Sequence, residues 1–264
     1  MKRSAELLSA YDEQLRTDAE ASDAVEVTRH GPLHLIVLAG GRGFVTYRDL
    51  QGATADTVRR LVSEAVAHFA ANPAITTVEW KTRGHDVAPG LHEGLLVNGF
   101  VPADPESIMI GEARLLVSEV STPEEVHLRR VTGEADVRAM AAMHADVFGR
   151  SVDDDGDSLV RRLTLQDGIE LWIAEARGQV VSCGRMEPVA GSQFAGLWGG
   201  ATRPEWRGLG LYRALTAERA RAALRKDKTL MYSESTEYSR PILERQGFIT
   251  VSTTTPYHWS RGVG

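Results

Sequence analysis

The chain has one cysteine in 264 residues, Cys183, so it cannot form an intrachain disulfide. Cys183 lies in an apolar strand-like stretch and reads as core. No apolar run approaches the ~20 residues that a membrane-spanning helix requires. Met1-Lys2-Arg3 leads into a polar, amphipathic segment that lacks the apolar centre of a secretory signal. The expectation is a soluble, cytoplasmic protein without a membrane partner. An excess of basic charge is also missing. The net charge is −6, which argues against broad nucleic-acid binding. No His, Cys, Asp and Glu have the spacing of a metal site, so the expected metal content is none. No Gly-x-Ser-x-Gly elbow marks a hydrolase.

The residues that are present describe a packed α/β protein. Apolar residues make up 42% of the chain, enough for a core, and the length allows one large domain or two ordinary ones. Charge is unevenly spread. Residues 1–125 carry 11 basic and 19 acidic groups, whereas residues 126–264 carry 19 and 17. Eight Lys or Arg fall between Arg203 and Lys228. Most fit a solvated helix face, and Arg207 and Arg213 are best placed to meet an anion.

Residues 1–23 read as an amphipathic helix, with Leu7, Leu8, Tyr11 and Leu15 at helical spacing. Residues 34–38 and 44–47 read as strands joined by the turn Ala39-Gly40-Gly41-Arg42-Gly43. Residues 54–71 form a helix whose apolar face is Val58, Leu61, Val62, Ala65, Val66 and Phe69. A strand at 75–81, a short helix at 91–97 and a strand at 108–117 follow. Ser121-Thr122-Pro123-Glu124-Glu125 is the linker. The second half has a strand at 126–131 and a helix at 133–148, with His144 partly buried on it. The acidic run Asp153-Asp154-Asp155-Gly156-Asp157 reads as a loop before a helix. Three strands then lie at 169–175, 180–187 and 194–202.

The next stretch carries the most information. Thr202-Arg203-Pro204-Glu205-Trp206 ends a strand, Arg207-Gly208-Leu209-Gly210 is a glycine-spaced loop, and Leu211-Tyr212-Arg213 opens a helix. The first turn of a helix presents N–H groups without intrahelical acceptors, and a loop of glycines lets an anion reach them. A Walker loop would need Gly-Lys-Ser/Thr after four residues, which is absent. A dinucleotide fingerprint needs a third Gly or Ala where Arg213 stands. The run Arg207-Gly208-Leu209-Gly210-Leu211-Tyr212 instead resembles the Arg/Gln-x-x-Gly-x-Gly/Ala signature of GCN5-related N-acetyltransferases (GNAT proteins), with Tyr212 in place of the family's small residue. A second signal lies downstream. Ser239-Arg240-Pro241-Ile242-Leu243-Glu244-Arg245-Gln246-Gly247-Phe248 is similar to the family's later helix and its Gly-Phe ending. Ser239 suits an N-cap, Pro241 the first turn and Gly247 a left-handed C-terminal position.

The resemblance implies an α/β fold of two GNAT-like lobes, each a mixed, mostly antiparallel sheet flanked by helices. Residues 1–120 would be a degenerate copy, because Asn98-Gly99-Phe100 echoes Gln246-Gly247-Phe248 while the helix after Arg48-Asp49-Leu50-Gln51-Gly52-Ala53 lacks a glycine cradle. Residues 126–264 would hold acetyl-CoA as co-substrate, at Ala201, Thr202, Arg207, Gly208, Leu209, Gly210, Leu211, Tyr212, Arg213 and Ser239. The implied reaction is direct acetyl transfer to a primary amine of a small molecule, by a monomer or homodimer. The alternative is a CoA-binding or regulatory module without catalysis. The family's usual acid, a Tyr four residues before the Gly of Gly-Phe, is Leu243 here. Tyr238 is therefore the candidate acid, and Glu187 and Glu234 are rival bases. The acidic run 153–157 would suit a cationic amine, although a solvated run is the simpler reading.

Overall fold

The computed structural model describes residues 2–16, 18–22, 24–149, 153–164 and 167–262, the side chains of 153–155 excepted. The backbone divides into two units. Unit 1 comprises Met1–Met109, Glu234–Pro241 and Thr250–Gly264, and unit 2 comprises Ile110–Ser233 and Ile242–Ile249.

Unit 1 begins with α1 (Lys2–Gln14), which buries Leu7 and Tyr11, followed by a 3-10 turn at Asp18–Ala21. Strands β1 (Glu26–His30), β2 (Leu33–Leu38) and β3 (Arg42–Tyr47) form an antiparallel meander. The Gly-rich run is the β2–β3 turn, with Gly40 and Gly41 at φ +76° and +71°, a region glycine enters without steric cost. Helix α2 (Ala55–Ala70) starts where Thr54 accepts the Thr57 N–H, an N-cap. Its stripe Val58, Leu61, Val62, Ala65 and Phe69 is buried against Leu33, Leu35, Val45 and Trp80. Burial of each large apolar side chain contributes about 1.5–3 kcal/mol. The helix returns the chain to β4 (Thr77–Arg83), parallel to β3. Helix α3 (Leu91–Val97), β5 (Val101–Pro102) and the first residues of β6 (Glu106–Glu112) follow.

Unit 2 takes the end of β6 and then α4 (Ala113–Leu116). The strand expected over 108–117 is thus cut short by a helical turn that buries Ala113 and Leu116. Strand β7 (Val126–Arg130), α5 (Glu134–Phe148) and α6 (Asp153–Thr164) come next. The acidic run expected as a loop is the first turns of α6, and Asp157 pairs with Arg138 at 2.9 Å. Carboxylates suit the positive end of a helix. Strands β8 (Glu170–Ala176), β9 (Gln179–Pro188) and β10 (Phe194–Thr202) are antiparallel neighbours, and α7 (Leu211–Leu224) leads to β11 (Leu230–Ser235), parallel to β10. The sheet order is β11-β10-β9-β8-β7. Helices α5 and α6 cover one face through Val137, Met140, Met143 and Leu159, packed on Leu171, Ile173, Cys183 and Ala201. Helix α7 covers the other through Leu211 and Leu215 on Ala174 and Val181.

The C-terminal stretch passes through α8 (Arg240–Glu244) into β12 (Ile249–Ser260). Gly247, at φ +86°, makes the turn, and the buried Phe248 ring lies over Gly111, where a Cβ would stand 2.3 Å from it. From Thr250 onward the strand belongs to unit 1, pairing antiparallel with β4 from Thr254↔Arg83 to Ser260↔Thr77. The division therefore differs from lobes of 1–120 and 126–264, because the last strand completes the sheet of the first unit.

Candidate functional site

The parallel pair β10 and β11 is in register only over Phe194↔Leu230, Ala195↔Met231 and Gly196↔Tyr232, yet β10 runs on to Thr202. The two strands splay apart at their carboxyl ends, where ligands bind in open α/β sheets. On its other edge β10 stays paired with β9, but its register slips between Trp198↔Arg185 and Ala201↔Cys183. One extra residue sits on β10, a β-bulge at Gly199-Gly200. Gly199 has φ +57°. A Cβ on Gly199 would stand 2.7 Å from the Arg185 guanidinium, and one on Gly200 would stand 3.1 Å from the Tyr212 ring. The positive φ of Gly199 favours glycine, and a Cβ at either position would make the neighbouring side chain shift. Beyond the bulge, the Ser182 hydroxyl donates to the Ala201 carbonyl at 2.8 Å, which fastens the strand end.

The chain leaves β10 through a 3-10 turn at Pro204–Trp206 and enters the glycine loop. Gly208 and Gly210 have φ +78° and +84°, and Gly210 is the residue before α7. Among the described residues, none of the backbone N–H groups of residues 208–213 has a hydrogen-bond acceptor. A row of orphan donors at the positive end of a helix is an anion cradle. Arg207 and Arg213 are exposed on it, Leu209 is 43% exposed, and Leu211 is buried as the anchor. Arg207 Nε donates to the Thr202 carbonyl at 3.1 Å. Tyr212 turns away from the loop onto Gly200, and burial raises its phenol above the ordinary tyrosine range.

On the face toward α5 and α6, a charged group sits beside the bulge. Glu187 accepts from Arg185 Nε at 2.5 Å and from Arg162 Nη1 at 2.7 Å, and Arg162 also binds Asp167 at 2.9 Å. Trp198 spans from β10 to β11, its ring edge-on to Tyr232 with centroids 5.4 Å apart. Gly196 leaves room for that indole, since a Cβ there would stand 2.2 Å from it. On the opposite face Arg219 of α7 is 1% exposed. It donates to the Leu215 carbonyl and the Thr216 hydroxyl, and burial pulls its guanidinium below the usual range.

Of the other residues singled out from the sequence, Glu234, Tyr238 and Ser239 fall in unit 1, and Leu243 and His144 in unit 2. Glu234 pairs with Lys81 at 2.5 Å, and that pairing holds the Lys81 ammonium above its ordinary range despite burial. Tyr238 is 80% exposed. The Ser239 hydroxyl donates back to the Thr236 carbonyl at 3.5 Å. Leu243 is fully buried. His144 lies against Phe148 with ring centroids 4.7 Å apart.

Unit 1 repeats the splayed pair but fills it. Strands β3 and β4 are in register only to Val45↔Trp80. Past that point Arg16 donates to the Tyr47 carbonyl at 2.9 Å, Arg83 donates to the Thr46 hydroxyl at 3.1 Å, and Glu20 closes an ion pair with Arg83.

No sequence-family model and no curated protein matches the chain. Solved structures do. A GCN5-related N-acetyltransferase from Kribbella flavida superposes with a TM-score of 0.68 at 18% identity, covering 98% of this chain and 96% of that one. The fold is that of the GCN5-related N-acetyltransferases. Another such protein, from Sphaerobacter thermophilus, matches at TM-score 0.63 and 15% identity over 98% of this chain and 86% of its own. A tandem GNAT protein from the clavulanic acid biosynthesis pathway matches at 0.62 and 15% over 88% of this chain and 79% of its own. The two-lobed GNAT architecture read from the sequence is therefore the one observed. Sequence reasoning missed Arg185, Trp198 and the Gly199-Gly200 bulge. The signal was available, since paired glycines inside a strand mark a bulge or a close approach.

Proposed function

We propose that the chain is an acetyl-CoA-dependent N-acetyltransferase acting on a primary amine of a small molecule, with one coenzyme site in unit 2. The observation that carries this reading is the run of orphan N–H groups at residues 208–213, set directly after a strand that splays from its parallel neighbour. The coenzyme diphosphate would take those amides, with Arg207 and Arg213 adding charge. The pantetheine and thioester would lie along Ala201 and Thr202 in the splay, where a backbone N–H polarises the acetyl carbonyl.

In the transfer step the neutral amine nitrogen forms a bond to the acetyl carbon and the carbon–sulfur bond breaks. The nitrogen gives up one proton, and the departing thiolate takes one. Glu187 is the base that lies in the same unit as the loop. Two of the roughly four acceptor positions of a carboxylate are used by its arginines, which leaves room for an ammonium proton or a bridging water. Glu234 would have to release Lys81 to serve. Leu243 supplies no proton, so the thiolate takes its proton from Tyr238 or from solvent.

Release of CoA thiol across a panel of primary amines tests the proposal. Amine-dependent thiol release is the expected result. Acetyl-CoA binding without turnover of any amine would replace it with a non-catalytic CoA-binding module.

A further inference from the structure

The charged cluster beside the bulge is unevenly satisfied. Arg162 is held by two carboxylates, Glu187 and Asp167. Arg185 shares Glu187 and uses only its Nε in doing so. Neither Nη nitrogen of Arg185 has a hydrogen-bond acceptor among the described residues. The side chain crosses from β9 over β10, so its Nη1 stands 2.7 Å from where a Gly199 Cβ would be. It is 30% exposed. A guanidinium with both Nη groups open presents two parallel N–H donors, the fork that a carboxylate fits with both oxygens.

We infer that Arg185 binds a carboxylate of the acceptor, and that the acceptor is therefore an amine bearing a carboxylate close to its nitrogen, as an α-amino acid does. This rests on the acetyl-transfer reading above. The distance argument sets the chemistry. The fork lies over the bulge residue itself, next to the stretch of β10 along which the thioester would lie. An amine presented there places its anion within a few bonds of the reacting nitrogen. Trp198 and Tyr232 flank the same face with apolar ring surface, suited to a side chain on the same molecule. The acidic start of α6 argued for a cationic acceptor. Its Asp157, however, is committed to Arg138.

The test is a set of L-amino acids, each paired with its own carboxamide, which keeps the shape and removes the charge. In the wild-type protein kcat/KM for the acid should exceed that for the amide by roughly 10- to 100-fold, the range for a charge-assisted pair. In Arg185→Gln the ratio should fall toward one, mainly through KM for the acid. Arg185→Lys, which keeps the charge and loses the fork, should recover part of it. Equal use of acid and amide, or a ratio unchanged in Arg185→Gln, overturns the inference. Should no amine be acetylated, the acetyl-transfer reading fails, and the carboxylate site is decided by binding. With CoA present, N-acetyl-amino acids should then raise the melting temperature of the wild type more than their amides do, and lose that advantage in Arg185→Gln. Equal shifts would overturn the site.

Discussion

Gly210→Asp probes the proposed coenzyme cradle with two effects that can be separated. Gly210 sits at φ +84°, and a Cβ there would stand 3.1 Å from both the Ser121 carbonyl oxygen and Val120 Cγ1. A side chain in the left-handed region costs about 1–2 kcal/mol, and the close neighbours must give by a few tenths of an ångström. A helix-capping bond does not compensate, because an N-cap side chain works from extended backbone. Gly210→Ala should therefore lower stability by about 1–2 kcal/mol, and Gly210→Asp by a similar amount. The carboxylate adds a charge beside the orphan amides. At about 5 Å and an effective dielectric near 20, one negative charge repels each charge of a diphosphate by about 3 kcal/mol. Even with salt screening this should exceed the ~2.7 kcal/mol that corresponds to a 100-fold loss of affinity. Acetyl-CoA titrated calorimetrically into wild type, Gly210→Ala and Gly210→Asp, with denaturant melts of each, separates strain from charge. The defect of the Asp variant relative to Ala should shrink as ionic strength rises. A folded Asp variant that binds within threefold of the Ala variant would refute the assignment of the diphosphate to this loop.

Calorimetry should also give one coenzyme per chain, because Arg16, Glu20 and Arg83 occupy the splay of β3 and β4 in unit 1; a stoichiometry near two would contradict this. Tyr238→Phe should reduce kcat about 100-fold or more if its phenol protonates the thiolate, and more than Tyr232→Phe does, whereas a near-normal kcat assigns that proton to solvent. Burial pushes the Cys183 thiol from about 9 up to about 12. A folded-state value raised above the unfolded one means that the contribution of Cys183 to stability is intact below about pH 9 and is lost as pH rises toward 12. At pH 8 a thiol reagent should label the native chain negligibly and the denatured chain once; rapid labelling of native protein would show the thiol to be exposed.

Local signals read well from the sequence where one segment decided the outcome. The 58-61-62-65-69 stripe and Thr54 were enough for α2, and the glycines at 208, 210 and 247 all adopt positive φ. Features that depend on distant partners were not legible. Nothing near residue 250 says that β12 pairs with β4, because that choice is made by the free edge of a strand formed some 170 residues earlier. Residues 108–117 are largely apolar, as a buried strand is, but Ala113–Leu116 form a helical turn that buries Ala113 and Leu116. For the site, the loop's backbone was legible, since Gly208 and Gly210 both take positive φ directly before α7. The two guanidiniums on Glu187 and the lysine on Glu234 were invisible, since each pairing joins residues from separate elements.

The return of β12 to unit 1 also governs how the chain is made. β4 emerges from the ribosome long before Thr254–Ser260, and its antiparallel partner is synthesised some 170 residues later. Throughout that interval the edge of β4 is unpaired, with Trp80 and Val78 already in place to pack, and such an edge invites pairing with other chains. Contacts this remote in sequence also close slowly. A cut at 121–125 releases neither unit intact: the first fragment lacks its closing strand, and the second carries that strand, with Tyr257 and Trp259, as an orphan.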